Sequence, residues 1–251
     1  MTADPRGNLP EYDVIGVGYR ARRRPDARLT AALREAIGPA DTLLNVGAGA
    51  GSYEPSDRPV VALEPSGVML AQHPGRRRVR GLAEHLPFAD GTFDVALAVL
   101  TVHHWVDLAM GLAEMRRVAR RQVLFTWDPD HERKLWITTD YVPAIDDLET
   151  GRFVPLAFVV DALSAHTVRP FEIPHDFTDG FQAAFWRRPE RYLDPEVRAA
   201  SSTFASLPPA LVLPGIERLR SDLRTGKWHE TYGELLAMEE ADFGHRIVIA
   251  G

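Results

Sequence analysis

Short apolar runs recur along the first half of the chain at intervals typical of a buried sheet. They are LLNV (43–46), VVAL (60–63), VALAVL (95–100) and QVLF (122–125). The runs are nearly continuous rather than alternating, as expected for strands that are covered on both faces. Between the last two runs, residues 107–121 carry apolar positions at helical spacing. Strand, helix and strand in this order predict a parallel, doubly wound sheet.

Further elements are predicted before and after this core. An apolar helical period over 25–37 ends at Gly38 and Pro39, which typically stop a helix. Later patterns predict helices over 154–166, 181–189 and 215–226, a strand over 169–177 that Pro174 interrupts, and a last strand over 246–250.

The segment from Asp128 to Gly151 breaks these patterns and is long for an ordinary connection. It contains Trp136 and Tyr141, whose large rings favour a segment that packs on the rest of the protein. We therefore predict a lid-like insertion after the fifth strand.

Composition narrows the class of protein. The chain has 251 residues, of which 45% are hydrophobic and 25% charged, which suits one domain or one domain with a lid. It has no cysteine, which excludes disulfides, thiol nucleophiles and cysteine-ligated zinc. The apolar runs are too short to cross a bilayer, and MTADPRGNLP lacks the apolar block of a signal peptide, so we predict a cytoplasmic protein with no membrane partner.

The charge balance bears on the partners. A formal net charge of −6 repels nucleic acid. Of three arginine-rich runs, those at 76–80 and 116–121 are interpreted as solvated faces, whereas the run at 22–24 is considered separately below. We predict no nucleic-acid partner, and the chain leaves open whether it is a monomer or a homodimer.

Three glycines, Gly47, Gly49 and Gly51, alternate directly after the first predicted strand. Without Cβ atoms the chain turns sharply and its backbone approaches a ligand closely. The dinucleotide fingerprint requires a glycine at the position of Ser52 and a helix that receives the pyrophosphate. Here SYEPSDRP, with two prolines, leads into the next strand at Val60, which leaves little room for a phosphate-binding helix.

Glu64 stands at the end of the second predicted strand. A carboxylate there accepts hydrogen bonds from both hydroxyls of a ribose. A lone glutamate at a strand end is by default a surface residue. Its pairing with the glycine loop favours ribose binding.

These residues together resemble the class I S-adenosylmethionine-dependent methyltransferases. LLNVGAGAG resembles the first motif of that family, VVALEPS its acidic second motif, and GLAEHLPFADGTFDVALAVLTVHHW the third and fourth motifs of the type 11 branch related to quinone-biosynthesis C-methyltransferases. The resemblance covers residues 40–126. It implies an α/β fold with a doubly wound, mostly parallel, seven-stranded Rossmann-like sheet and helices on both faces. It also implies S-adenosylmethionine as cofactor and S-adenosylhomocysteine as product.

The resemblance also divides the chain. Residues 1–251 are expected to form one methyltransferase domain, with an N-terminal cap over 1–24, a cofactor-binding core over 40–126 and a lid or substrate insertion over 127–165.

The family's cofactor contacts are implied at the carboxyl ends of the strands. These are Gly47, Gly49 and Gly51 beside the methionine part, Glu64 at the ribose, Pro65 on the adenosine, Leu82, Ala83 and Glu84 around the adenine, and Leu100 near the reacting methyl group.

Three features depart from the family pattern. Asn45 stands where the family usually has an acidic residue, and Leu82 stands where many relatives have an aspartate that binds the adenine amine. The segment from Gly51 to Val60 is about one helical turn shorter than usual. The second departure moves adenine recognition to backbone groups or to Glu84.

The N-terminal segment is interpreted as a cap on the methionine end of the cofactor. Tyr19 would cover the sulfonium with its aromatic face, and one arginine of the run 22–24, assigned as Arg24, would pair with the carboxylate. The alternative is a solvated arginine run with Tyr19 packed on the core.

Methyl transfer from a sulfonium is an in-line displacement in which the protein aligns the acceptor, excludes water and, where needed, supplies a base. His103 and His104 follow the fourth predicted strand and are the candidate catalytic bases, although one of them is equally expected to be a structural histidine. The sequence offers no compact set of metal ligands, so no metal is predicted.

We therefore predict methyl transfer to a small-molecule acceptor. The alternatives are a peptide or protein acceptor and a regulatory protein that binds S-adenosylmethionine without turnover. Candidates for the acceptor pocket are Trp127, Asp128, Trp136, Tyr141 and the segment FQAAFW (181–186), whose rings are alternatively core residues.

Overall fold

The chain winds around one large β-sheet. A computed structural model describes residues 11–132, 134–150 and 154–251; the first ten residues of the predicted cap and, in the predicted insertion, residues 133 and 151–153 lie outside this description. The strands are β1 (Leu43–Val46), β2 (Val60–Glu64), β3 (Arg78–Arg80), β4 (Phe93–Val99), β5 (Ala119–Trp127), β6 (Thr167–Pro170), β7 (Ile173–Pro174), β8 (Glu240–Ala241) and β9 (His245–Ala250).

The main sheet has seven strands in the order β3-β2-β1-β4-β5-β9-β6. The first five in this order pair in parallel, whereas β9 is antiparallel to both β5 and β6. The predicted mostly parallel seven-stranded Rossmann-like sheet is therefore confirmed. The strand order reverses beside β1, where open parallel sheets bind their ligands.

Helices cover both faces of this sheet. They are α1 (Glu11–Ile15), α2 (Tyr19–Arg22), α3 (Ala27–Ile37), α4 (Gly67–Gln72), α5 (Leu108–Val118), α6 (Ala144–Thr150), α7 (Leu156–Leu163), α8 (Pro195–Ala199), α9 (Ser202–Ser206), α10 (Pro209–Thr225) and α11 (Lys227–Tyr232). Short 3₁₀-helices span Val102–His104, Gln182–Phe185, Pro189–Leu193 and Gly233–Ala237, and a π-helix spans Ile137–Tyr141. In the part of the chain that the structure describes, no helix combines the length and the apolar character that a bilayer span requires.

Burial on both faces explains why the strands read as continuous apolar runs. All four residues of β1 are buried. Leu43 packs in one hydrophobic cluster with Leu33 of α3, whereas Leu44 packs in a second cluster with Leu112 of α5. Because side chains alternate across a strand, consecutive apolar residues supply both clusters.

The second half of the chain differs from the sequence prediction. The predicted helix over 181–189 is two 3₁₀-helices, and Pro189 begins the second because proline fits the first turn of a helix and not its interior. The predicted strand over 169–177 is split between β6, which joins the main sheet, and β7, which pairs with β8 in a separate two-stranded sheet. The predicted helix over 215–226 begins earlier, at Pro209.

The predicted insertion is anchored by its aromatic residues. Trp136 and Tyr141 are both buried. The Trp136 indole donates to the Trp186 carbonyl over 2.7 Å and packs edge-on against Trp228 of α11. The Tyr141 hydroxyl donates to the Asp222 carboxylate of α10 over 3.0 Å. These two rings are therefore core residues, and a lid role for the insertion stays a prediction.

Candidate active site

A cavity of about 530 Å³ lies at the carboxyl ends of the central strands. Its volume is typical of small-molecule sites. Most of the predicted site residues line it: Tyr19, Gly47, Gly49, Glu64, Pro65, Leu82, Ala83, Glu84, Leu100, His103 and His104. Two predicted residues, Gly51 and Arg24, are not among its lining residues.

The glycine loop after β1 is held tightly between its neighbours. Gly47 has a φ of +70°, and a Cβ atom there would meet Thr101 Oγ1 at 2.0 Å. The Gly47 amide donates to the Leu63 carbonyl over 2.8 Å. A residue with a side chain would not fit here in this conformation. The backbone of the loop itself therefore lines the cavity.

Glu64 connects this loop to β2. One of its oxygens accepts a hydrogen bond from the Gly49 amide and the other from the Ser66 amide, each over 2.9 Å. The side chain is buried, and this burial raises the pKa of Glu64 despite both amides. Each carboxylate oxygen keeps further acceptor capacity, which a ligand hydroxyl in the cavity satisfies.

Gly51 serves the packing behind the loop. It has a φ of +84°, and a Cβ atom there would meet His73 Nε2 at 2.7 Å. His73 is buried, and its Nε2 lies 3.1 Å from Glu54 Oε1. The third glycine therefore makes room for a histidine, which differs from its predicted place beside the cofactor.

Asn45, which stands where the family usually has an acidic residue, is paired with a carboxylate of this chain, Glu54. Asn45 Nδ2 donates to Glu54 Oε1 over 2.9 Å. Asn45 is buried and lines the cavity, and its Oδ1 has no hydrogen-bond partner within the described residues. The amide thus uses one of its two donors on Glu54.

Substituting Asn45 with aspartate is expected to destabilise the protein by about 1–3 kcal/mol at pH 8, because a contact between two carboxylates then replaces the hydrogen bond from Asn45 to Glu54. Repulsion raises the pKa of one of them in the folded state, so the loss shrinks as the pH falls and that group takes a proton. Urea denaturation at pH 8 and pH 6 measures both effects.

The double variant Asn45→Asp/Glu54→Gln is the matched control for that substitution. It restores one amide and one carboxylate with the hydrogen bond reversed, so its stability at pH 8 is expected to return towards wild type. Equal losses in the single and double variants would contradict the pairing.

The predicted adenine side is built on Glu84. Its Oε1 accepts hydrogen bonds from the backbone amides of Val106 and Asp107, over 2.7 and 3.1 Å. Leu82, at the lip of the cavity, is 45% exposed, whereas Ala83 is buried. Glu84 therefore shapes this wall by holding the loop after the 3₁₀-helix through its Oε1, and a contact of this residue with the adenine stays a prediction.

The N-terminal cap brings Arg23, rather than Arg24, to the cavity. Helix α2 ends before Arg23, which is extended, so the next side chain points to the opposite side and Arg24 is exposed. The Arg23 guanidinium donates to the Tyr19 hydroxyl over 2.7 Å and forms a buried ion pair with Asp179. The Tyr53 hydroxyl also donates to Asp179, over 2.8 Å. Sequence reasoning missed Asp179, since nothing in its local sequence marks it.

His103 and His104 lie in the 3₁₀-helix after β4. Their rings are 3.9 Å apart, and the His103 ring packs edge-on against Trp127 at 4.6 Å. The His104 ring packs edge-on against Tyr12 and lies within 3.3 Å of its hydroxyl. Both histidines therefore line the cavity and bridge the N-terminal cap and β5.

Leu100 stands between β4 and this 3₁₀-helix in a strained conformation. Its φ of +49° lies in the left-handed region that favours glycine, and its amide donates to the Phe125 carbonyl over 2.8 Å. Backbone strain of this kind, at a residue whose side chain lines a cavity, is typical of a functional site.

Aromatic rings also line the cavity, among polar residues such as Lys134, Gln182 and Thr203. Trp127, Phe181, Phe243 and His245 line it, together with Asp128. Trp136 and Tyr141, which were also candidates for the acceptor pocket, are not among the lining residues. The sequence alone did not single out His245, because it stands at the start of a strand far from the motifs.

The fold and the site define the class of the protein, which is that of the Rossmann-like methyltransferases. Three features show it: the strand order of the sheet, the glycine loop after β1 and the buried glutamate at the end of β2. A family model described as a methyltransferase domain matches residues 44–126. A crystal structure of a putative methyltransferase from an antibiotic biosynthesis pathway of Anabaena variabilis is 34% identical, covers 92% of this chain and 99% of its own, and superposes with a TM-score of 0.84.

Two further comparisons reach less far. A demethylmenaquinone methyltransferase of Mycolicibacterium gilvum is 39% identical over 97 residues, which are 36% of this chain and 42% of that protein. The chain spans less than half the length of the curated relatives that it matches. The geranyl diphosphate C-methyltransferase of Streptomyces coelicolor, in complex with S-adenosylhomocysteine, shares the fold at 17% identity, with a TM-score of 0.51 over 89% of this chain and 78% of its own.

The chain belongs to the class I S-adenosylmethionine-dependent methyltransferases. S-adenosylmethionine is the cofactor of this family, and the cavity holds its expected ribose partner, Glu64.

Proposed function

We propose that the protein transfers a methyl group from S-adenosylmethionine to a small-molecule acceptor. One observation carries this proposal: a single cavity is lined both by the glycine loop with Glu64 and by the aromatic residues Trp127 and Phe181. The proposal places the cofactor and a small acceptor together in this one cavity. The Mycolicibacterium gilvum relative is also named for a small-molecule acceptor.

Two polar groups of the cavity fit the cofactor. Glu64 has acceptor capacity for the ribose hydroxyls. Arg23 lines the same wall, and the N–H groups that it does not use on Asp179 and Tyr19 are suited to a carboxylate. A ribose and a carboxylate are both parts of S-adenosylmethionine.

The bound cofactor supplies an already activated methyl group. The residues of the chain therefore act mainly by placing the acceptor. Aromatic rings of the cavity, such as those of Trp127 and Phe181, are proposed to contact the acceptor. The Tyr19 ring of the N-terminal cap already carries the Arg23 guanidinium 5.2 Å from its centroid, and its aromatic face is of the kind that attracts a cation. His103 and His104 are the proposed bases for an acceptor that needs to lose a proton.

The proposed function is tested by incubating the protein with S-adenosylmethionine and either the ultrafiltrate or the protein fraction of a cell extract. Formation of S-adenosylhomocysteine, followed by mass spectrometry, is expected with the ultrafiltrate. Formation with the protein fraction alone would indicate a peptide or protein acceptor. Cofactor binding without product in either fraction would indicate a regulatory binding protein.

The variants His103→Ala and His104→Ala are expected to keep the affinity for S-adenosylhomocysteine within about twofold of wild type, because neither ring is needed for the ribose or the amino acid. At least one of them is expected to lower turnover by on the order of 10²–10⁴-fold, the usual contribution of a positioned base. Calorimetry with S-adenosylhomocysteine and the rate of product formation with the active ultrafiltrate measure the two quantities. Unchanged turnover in both variants would mean that positioning of the acceptor is sufficient.

A further inference from the structure

Ser201 stands at the start of helix α9 but does not cap it. Its backbone has the extended conformation of an N-cap residue, with φ of −95° and ψ of 122°, and its side chain makes no capping hydrogen bond among the described residues. Serine is favoured at this position because its hydroxyl usually accepts a hydrogen bond from an amide of the first turn. Helix capping therefore does not account for the direction of this hydroxyl.

The Ser201 hydroxyl opens to the cavity. The residue lines the cavity and is only 5% exposed. Its hydroxyl has no hydrogen-bond partner in the part of the chain that the structure describes, and it is not one of the unpartnered side-chain atoms that the protein encloses completely. A nearly buried polar group without a partner is unfavourable, and a ligand in the cavity removes that cost.

Gln182 presents a second polar side chain of this kind to the same cavity. It begins the 3₁₀-helix Gln182–Phe185 and is half-buried. Its backbone carbonyl accepts a hydrogen bond from the Tyr192 hydroxyl over 2.7 Å, whereas its carboxamide has no partner within the described residues and is not fully enclosed. Gln182 and Ser201 both lie beyond residues 44–126, which the family model matches. The shared cofactor core therefore does not explain them.

The segments that carry these two residues pack directly against each other. A Cβ atom on Gly180 would lie 3.5 Å from Ala200 Cβ and 3.8 Å from Arg23 Cδ. The charge of Arg23 at this junction is balanced by its ion pair with Asp179. The two polar side chains therefore stand in the cavity wall beside a pair of charges that cancel, which suits a neutral ligand group better than a charged one.

We propose that Gln182 and Ser201 recognise the methyl acceptor, and that the acceptor carries a neutral amide group. The proposal rests on the proposed function and names the substrate class of that same cavity. An amide offers an N–H donor and a carbonyl acceptor side by side. The Gln182 side-chain carbonyl accepts a hydrogen bond from the N–H, and the Ser201 hydroxyl donates one to the carbonyl. A carboxylate only accepts and an ammonium group only donates, so each would leave one kind of group unpaired.

The test uses benzamide and acetophenone as probes on protein saturated with S-adenosylhomocysteine. The two molecules have nearly the same shape, and acetophenone has a methyl group in place of the amide nitrogen. Ligand-observed NMR titrations are expected to show that wild type binds benzamide about tenfold more tightly, the equivalent of one hydrogen bond. In Gln182→Met, which keeps the length of the side chain and removes its carboxamide, the two probes are expected to bind equally.

Ser201→Ala is expected to give a different pattern. Both probes carry the carbonyl that the hydroxyl serves, so both are expected to bind about three- to tenfold more weakly, with the preference for benzamide preserved. The midpoint of urea denaturation is expected to stay near that of wild type, because the hydroxyl does not cap α9. The matched control is Ser66→Ala. Ser66 caps α4 by accepting from the Met69 amide over 3.2 Å, so its removal is expected to lower the midpoint.

Four results would overturn the proposal: equal binding of the two probes to wild type, which would mean that water alone serves both side chains; no binding of either probe; a preserved preference for benzamide in Gln182→Met; or unchanged binding of both probes in Ser201→Ala. Affinity for S-adenosylhomocysteine is measured separately in each variant. If wild type fails to bind S-adenosylhomocysteine, the proposed function fails, and the same probes added to the unliganded protein still decide the roles of Gln182 and Ser201.

Discussion

Replacing Glu64 with alanine is expected to weaken binding of S-adenosylhomocysteine at least about tenfold, which corresponds to about 1.4 kcal/mol. The carboxylate is the acceptor proposed for both ribose hydroxyls, and hydrogen bonds to a charged group are worth more than neutral ones. The substitution also releases the Gly49 amide, so the glycine loop loses its link to β2. Calorimetric titration with S-adenosylhomocysteine measures the effect.

The protonation state of Glu64 gives this prediction a pH dependence. Burial raises the pKa of Glu64 in the unliganded protein, so the group takes a proton at a higher pH than an ordinary glutamate does. Ribose hydroxyls bind the ionised form, so affinity is complete above this pKa and falls as the pH falls through it. In Glu64→Gln, which has no proton to take up, this pH dependence is expected to be absent.

Glu114→Ala provides the matched control for Glu64→Ala. Glu114 also accepts a hydrogen bond from a backbone amide, that of Leu86, but it does not line the cavity. Its removal is expected to leave the affinity within about twofold of wild type, since nothing at the site changes. Equal effects in the two variants, or an unchanged affinity in Glu64→Ala, would show that the ribose assignment is wrong.

The central sheet was predictable because its signals are local. Strands buried on both faces need continuous apolar runs, and the turn after β1 needs glycine at Gly47, where a side chain would collide with Thr101. At Gly51 the reason for glycine is not local. Its requirement for glycine comes from His73, a residue of another segment, and the alternating glycine pattern carries no mark of that contact.

The polar network of the cavity was not predictable from local pattern. Arg23 meets Asp179, and Asn45 meets Glu54, only once the chain has folded. The arginine run at 22–24 predicted a cation near the cofactor. Which of its arginines faces the cavity depends on where α2 ends, and this cannot be derived from the run itself. His245 likewise joins the cavity wall only when β9 is placed against β5.

Asp179→Ala is expected to destabilise the protein by about 3–5 kcal/mol, the usual cost of leaving one member of a buried ion pair without its partner. The side chains of Arg23 and Asp179 are 10% and 1% exposed, so the ion pair counts as buried. The Tyr53 hydroxyl loses its acceptor in the same variant. The free energy of unfolding from urea denaturation measures the loss.

The chain offers a matched control for Asp179→Ala only a few residues away. Asp176 pairs with Arg28 at the surface, where the two side chains are 61% and 45% exposed, and Asp176→Ala is expected to cost less than about 1 kcal/mol. The double variant Arg23→Met/Asp179→Leu removes both charges and is expected to be more stable than Asp179→Ala, because no uncompensated charge remains. If Asp179→Ala lost no more stability than Asp176→Ala, the pair would not fasten the N-terminal cap to the segment that carries Phe181. The position of Phe181 in the lining of the cavity would then depend on packing alone.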